Sequence, residues 1–223
     1  MRINKFLAQA TGMSRRAADA AVAEGRVQVN GTTTAGQMLQ AGDIVSLDGR
    51  DYAFQDDPAQ PRRTIILNKP AGYVVSRDGQ GSRTVYDLLP AEYHALKPVG
   101  RLDKESSGLL LLTDDGDLAN QLTHPSFRKT KQYDVLLDKP LQPLHRQMIS
   151  DFGVQLDDGR SQLLLDRLQD GDDTGWQVTM HEGRNRQIRR TFAALGYTVT
   201  GLHRTVFGTY RLDALQPGKI KIL

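Results

Sequence analysis

Apolar residues near the start of the chain fall at helical spacing. Ile3, Phe6, Leu7 and Ala10 predict a helix that Gly12 ends. Ser14 is placed to cap a second helix with an apolar face of Ala17, Ala18, Ala21 and Val22, stopped by Gly25. The period then drops to two. Val27 and Val29 alternate with polar neighbours and run into Asn30-Gly31, a strong hairpin signal. Ile44, Val45 and Leu47, after Gly42-Asp43, predict a closing strand, so residues 1–48 read as a small helix-helix-sheet domain. Residues 49–63 hold Gly49, three Asp, Pro58 and Pro61 with little periodic apolar content, and predict a linker. A larger domain follows over 64–223. Its patterns predict strands at 64–67, 109–113, 133–137 and 176–180. They predict helices at 84–89 (ended by Pro90), 118–122 after the Asp114-Asp115-Gly116 turn, and 184–195 (closed by Gly196). Strands outnumber long helices and do not alternate with them as βαβ, which predicts an α+β fold with a mixed, mostly antiparallel sheet.

Composition narrows the classes. The 223 residues include no cysteine, which excludes a disulfide framework, a thiolate metal site and a cysteine nucleophile. The longest apolar stretch, around 109–112, is too short to span a bilayer, and the first residues lack the apolar run of a secretory signal, so a cytoplasmic protein without membrane contact is expected. Charge is unevenly spread. Residues 51–183 carry 15 Lys/Arg against 21 Asp/Glu, whereas residues 184–223 carry eight against one. A basic C-terminal segment, with a mildly basic first fifty residues, suggests an anionic partner, with nucleic acid the leading candidate.

Three segments could carry chemistry. In the segment 100–108, Arg101, Asp103, Lys104, Glu105 and two serines lie between Gly100 and Gly108, immediately before an apolar strand. A loop feeding a rigid strand can hold a reactive side chain both exposed and still, although such a loop can equally be a polar turn with Asp103 salt-bridged to a neighbour. The segment 182–190 places four arginines at an expected helix start, against the dipole's preference for anions there, a cost that phosphates or a buried carboxylate would offset. In 128–133, basic residues lead into Tyr133, which could stack on a base or simply fill the core. Other arrangements fail. His94, His124, His145, His181 and His203 show no metal-ligand spacing, Ser106-Ser107 has no identifiable His partner, and phosphate-loop, dinucleotide and nucleophile-elbow motifs are absent.

Taken in order, Gly100-Arg101-Leu102-Asp103, Ser107-Gly108-Leu109, Lys131-Gln132-Tyr133 and the 183–190 run resemble the motifs of the RsuA/RluB/RluF family of ribosomal RNA pseudouridine synthases, and 67–72 is similar to that family's opening motif. The first module, with Arg2, Lys5, Phe6, Leu7, Ser14-Arg15-Arg16-Ala17 and Asn30-Gly31, resembles an S4 RNA-binding domain. The resemblance implies Asp103 as the catalytic carboxylate and Tyr133 as the residue stacking on the target base. It implies Arg189 as the basic partner of the carboxylate (Arg184 as fallback) and Arg101 as a residue that flips or holds the nucleotide. It further implies RNA contacts from Arg2, Lys5, Arg15, Arg16, Lys131, Arg184, Arg186 and Arg190. Thr191 stands where many relatives carry methionine, a departure expected to matter only to packing. The chemistry needs no metal and no cofactor, consistent with a sequence that offers neither. Expected partners are ribosomal RNA, naked or in a partly assembled subunit, with large-subunit RNA favoured and a monomeric protein. The alternative is a non-catalytic S4-type RNA-binding protein acting in ribosome assembly. A glycoside hydrolase would need two carboxylates flanking a bond, and Asp103 with Glu105 make a poor pair.

Overall fold

A computed structural model describes residues 1–55 and 62–223. The chain divides into two compact units, Met1–Pro61 and Arg62–Leu223. No helix among the described residues is long and apolar enough to cross a membrane.

In the first unit, α1 (Ile3–Thr11) ends at Gly12, whose φ of 79° is the left-handed conformation of a helix C-cap. The Ser14 side chain accepts the Ala17 N–H and caps α2 (Arg15–Ala23). Of the expected α2 face, Ala18 and Ala21 are buried while Ala17 is exposed. β1 (Val27–Val29) turns through Asn30 and Gly31, with φ of 50° and 80°, into β2 (Thr32–Thr33). Two consecutive positive φ values are what a two-residue hairpin requires. β3 (Ile44–Leu47) pairs with β1, and β4 (Arg50–Ala53) pairs with β3, giving the order β2-β1-β3-β4. β4 corrects the expected linker at 49–63. Arg50–Ala53 are strand, and the following Phe54 is buried in the unit's core beside Phe6. The sequence there alternates too weakly to announce a strand, because Tyr52 is only half-buried and the other three residues are exposed. The rest of the expected linker, at 56–61, lies outside the described residues.

The second unit is built on one nine-stranded sheet. Its strands are β5 (Thr64–Lys69), β6 (Lys97–Pro98), β7 (Ser107–Thr113), β8 (Lys131–Leu137), β11 (Leu164–Arg167), β12 (Gly175–Met180), β13 (Val199–Phe207), β14 (Tyr210–Arg211) and β15 (Ile220–Ile222). The main order is β11-β12-β8-β13-β7-β5-β15, with β14 on β13 and β6 on β7. Every ladder in it is antiparallel except β13 with β7. A separate hairpin, β9 (Val154–Leu156) with β10 (Gly159–Ser161), follows α4 (Pro143–Gln147) and a π-helical turn, Met148–Phe152. β5 and β7 are covered on both faces. Ile65, Leu67, Leu110 and Leu112 face the larger apolar cluster, while Ile66, Leu109 and Leu111 face a smaller one, so both strands read as unbroken apolar runs.

The parallel junction fixes one glycine. Gly108 pairs with Arg204 across β7 and β13, and a Cβ at Gly108 would lie 2.3 Å from the Arg204 carbonyl oxygen. Only glycine lets the two backbones approach so closely. Between β5 and β6, Thr84 caps the 3-10 turn Val85–Leu88 with a reciprocal bond from Asp87, as the 84–89 pattern predicts. Asp115 caps α3 (Gly116–Thr123) by accepting from Asp117 and Leu118.

The C-terminal helix differs from its expectation. α5 spans Gln187–Ala193, not 184–195, and Arg186 precedes it with φ 46°. Arg184, Asn185 and Arg186 therefore form a loop, and the expected conflict between four arginines and a helix dipole does not arise for them. Ile188 and Phe192 bury as predicted, with Leu195 packed at the edge of the same core.

Candidate active site

The loop 100–106 feeds β7 and is tied from beneath. Lys69 ends β5, fully buried, and its ammonium reaches four carbonyl oxygens: Ser106 at 2.6 Å, Pro70 and Asp103 at 3.1 Å, and Lys104 at 3.4 Å. Burial pushes the Lys69 pKa down to about 8, partly opposed by Asp103 and Glu105. Lys69 was visible in the sequence only as part of the 67–72 motif, with no sign that its charge would be spent on backbone carbonyls. Ser106 N–H closes a turn onto the Asp103 carbonyl at 3.1 Å. The result is a rigid presentation of the Asp103 carboxylate.

Asp103 lines a cleft of about 200 Å³ together with Arg101, Ser106, Lys131, Tyr133, Met180, Arg184, Arg186, Ile188, Leu202, Arg204 and Phe207. The three expected segments therefore converge on one cavity. Tyr133, on β8, is 8 % exposed and contributes its ring to the wall. The Arg101 guanidinium has no partner among the described residues and is free to meet a ligand.

The guanidinium within ion-pair distance of Asp103 is that of Arg186, while the expected Arg189 interacts with Asp103 and Glu105 over a longer range. Arg186 Nη1 stands 3.5 Å from Asp103 Oδ2 and 3.0 Å from Glu105 Oε2. The Arg186 hydrogen bond holds the Glu105 carboxyl below its usual range. Arg189 donates instead to the Val199 carbonyl at 2.7 Å and to Ser106 Oγ at 3.4 Å, supporting the loop from its own side. Burial, and then the neighbouring Arg186, lower the pKa of the Arg189 guanidinium. The left-handed turn at Arg186 is what swings its side chain to Asp103, and a continuous helix from 184 would not make that turn.

Arg184, which lines the cleft, and Arg190, both expected on RNA, also make several bonds within the protein. Arg184 donates to the carbonyls of Asp158, Gly159 and Arg160 and to the Asp158 carboxylate, each at 2.9 Å, and to Glu182 at 3.2 Å. Arg190 Nη2 bonds Asp158 at 2.6 Å. Both pin the β9–β10 turn to the segment before α5. Thr191 does more than pack. It is fully buried, donates to the Gln187 carbonyl at 2.9 Å and shares a 2.7 Å bond with Ser161, so a polar chain joins α5 to β10. In the first unit, Arg2, Arg15 and Arg16 are exposed at the starts of α1 and α2, and Lys5 is half-buried in α1.

Ser107 does have a histidine partner, contrary to the sequence reading. His203 Nδ1 lies 2.8 Å from its hydroxyl, and the two residues sit 96 apart in sequence but side by side on β7 and β13. Asp134 is next in register on β8. The Ser107–His203 pair does not line the cleft, whose lining includes Ser106 but neither of these residues.

A carboxylate, an aromatic ring and several cations lining one open cleft suit a ligand that carries both negative charge and planar rings. Comparison with known proteins agrees. The family described as RNA pseudouridylate synthase matches residues 63–194, and the S4 domain matches residues 1–45. The chain belongs to the RNA pseudouridylate synthase family, whose members isomerise uridine to pseudouridine in RNA. It is 36 % identical over 98 % of its length to an uncharacterized RNA pseudouridine synthase of Aquifex aeolicus, and covers 88 % of that protein. It is 38 % identical over 95 % of its length to the ribosomal large subunit pseudouridine synthase B of Xylella fastidiosa, of which it spans only 46 %. A crystal structure of a pseudouridylate synthase superposes with a TM-score of 0.70 at 30 % identity, covering 100 % of this chain and 96 % of the other.

Proposed function

We propose that the protein isomerises one uridine of ribosomal RNA, with large-subunit RNA as its target and Asp103 as the reacting carboxylate. The observation that carries this reading is the placement of Asp103 in one cleft with Tyr133 and an unpaired Arg101, on a loop fixed by Lys69. Asp103 acts as a carboxylate, either attacking C1′ or removing the C2′ proton, with the Arg186 guanidinium 3.5 Å from its Oδ2. The target uridine leaves its stack and meets Tyr133, while Arg101 holds the displaced nucleotide. Arg189 and Lys69 act on the loop and so position the carboxylate. The exposed Arg2, Arg15 and Arg16 of the S4 domain, with Lys5, supply contacts to RNA phosphates. The protein works in the cytoplasm, as a monomer and without a cofactor. The name of the Xylella fastidiosa relative supports the large-subunit target.

Bond formation at C5 must expel the hydrogen there, so tritium release from C5-labelled uridine RNA reads the reaction. Naked small- and large-subunit transcripts and partly assembled subunits are tested in parallel. Release from the large-subunit substrate alone is expected. Release from the small-subunit substrate alone would overturn the target, and release from none would overturn the isomerase reading in favour of an RNA-binding role.

A further inference from the structure

Arg204 is the most deeply buried arginine in the second unit that faces no carboxylate. It is 2 % exposed, its Nε donates to the Leu109 carbonyl at 2.8 Å, and its Nη2 is buried with no partner. Its guanidinium carbon lies 4.8 Å from the centre of the Phe207 ring and 6.0 Å from that of Tyr133. Lys131 stands on the neighbouring strand, 5.6 Å from the Phe207 ring, and donates only to the Glu182 carbonyl at 3.0 Å. Both residues line the cleft that holds Asp103. Burial, then the neighbouring Arg204, lower the Lys131 pKa, partly opposed by Glu182.

Such a wall is costly unless a ligand completes it, because buried charges are ordinarily paired. The close fit of Gly108 fixes the Arg204 backbone, and the Nε bond to Leu109 and the Phe207 ring place its guanidinium. The lining around it decides what the ligand is. Alongside its cations the cleft offers Leu102, Tyr133, Met180, Ile188, Leu202 and Phe207, an apolar surface on which a flat ring can lie while its polar edge meets the charges. A uracil ring is neutral on entry and gains a negative charge when it detaches.

We propose that Arg204 and Lys131 hold the carbonyl edge of the target uracil and stabilise the charge that spreads onto its O2 and O4 as the C1′–N1 bond breaks. The inference rests on the isomerase reading above. The electron pair of the C1′–N1 bond stays with the ring, while Asp103 either bonds to C1′ or takes the C2′ proton. A C2′ proton taken by Asp103 returns to C2′ when the ring re-attaches. The rotated ring then uses an electron pair at C5 to bond C1′, displacing the Asp103 carboxylate with its electron pair where that had bonded there; the C5 proton leaves and N1 gains a proton, so the product is an isomer. Cations that meet charge only after bond cleavage begins speed the reaction without tightening RNA binding.

The test compares uridine with 5-fluorouridine at the target position, because fluorine acidifies the ring and reduces the detached anion's need for a cation. Single-turnover loss of the C1′–N1 linkage is followed by nuclease digestion and chromatography for wild type, Arg204→Met, Arg204→Lys and Lys131→Met. RNA affinity and melting temperature are measured alongside. Arg204→Met is expected to slow the uridine reaction about 10²-fold with RNA affinity preserved. That deficit should shrink about tenfold on 5-fluorouridine RNA, with Lys131→Met behaving alike and Arg204→Lys recovering part of the rate. Equal deficits on the two RNAs would overturn the proposal, as would rate losses that simply follow melting temperature. If Arg204→Met does not fold, Lys131→Met and Arg204→Lys carry the same comparison. Inactive wild type on both RNAs would overturn the isomerase reading itself, and this inference with it.

Discussion

Asp103 and Asp158 both face arginines drawn from the same short stretch, 184–190, and their side chains are similarly exposed, at 32 % and 41 %. Their surroundings differ in what is left unsatisfied. Around Asp158 most donors are engaged, the buried Arg184 Nε being the exception. Arg184 and Arg190 bond both carboxylate oxygens, the remaining Arg184 Nη donors go to carbonyls and Glu182, and Arg190 Nε goes to Asn185. The Arg190 bond holds the Asp158 carboxyl low. That cluster is a staple between the β9–β10 turn and the segment before α5. Around Asp103 a single guanidinium stands at 3.5 Å, and it gives its nearer contact to Glu105. The carboxylate keeps free lone pairs and opens to a cleft. The two carboxylates are alike in residue type and exposure and differ in how many donors engage them and in that only Asp103 lines the cleft.

The comparison can be broken first at its arginines. Arg186→Gln is expected to lower single-turnover pseudouridine formation about 10²-fold, since it removes the charge beside the reacting carboxylate. It should barely move the melting temperature, because exposed ion pairs of this kind contribute under about 1 kcal/mol. Arg184→Met should do the reverse. Losing its charge-assisted bonds costs about 2–3 kcal/mol, which lowers the melting temperature of a unit this size by about 5–10 °C in calorimetry. A variant of Arg184 that left stability intact would show that the staple is not one.

Lys69 sharpens the comparison more gently, through pH. Its pKa is lower folded, about 8, than in the unfolded chain, where the usual value is 10.5. Between those values the unfolded chain holds a proton that the folded chain has released, so stability rises with pH across the window. Denaturant unfolding of wild type should show that rise, and Lys69→Met should flatten it. An unchanged slope in the variant would remove Lys69 as its source.

Much of this architecture was legible because local signals coincided with global ones. The Asn30-Gly31 turn, the Ser14 cap and the 109–113 run each had one physical solution, and all three appear in the structure. The convergence of 100–108, 128–133 and 182–190 on one cavity was legible only through the family resemblance, since nothing local brings those segments together. What escaped the sequence depended on long-range partners. The helical spacing at 184–190 hides the left-handed turn at Arg186, and nothing near Arg184 in sequence announces Asp158, 26 residues upstream. β13 mixes Gly201 and charged residues with its apolar positions, so Arg204 and His203 went unnoticed beside the cleft and Ser107.

The measurement that tests the central claim most directly compares Asp103→Asn and Asp158→Asn by tritium release on one labelled ribosomal RNA substrate, with RNA affinity measured for each. The account predicts that Asp103→Asn loses at least about 10³-fold in turnover while binding RNA as wild type does. Asp158→Asn is predicted to stay within about tenfold of wild type, its loss appearing in stability. Turnover by Asp103→Asn, or an equal loss in Asp158→Asn without unfolding, would contradict it.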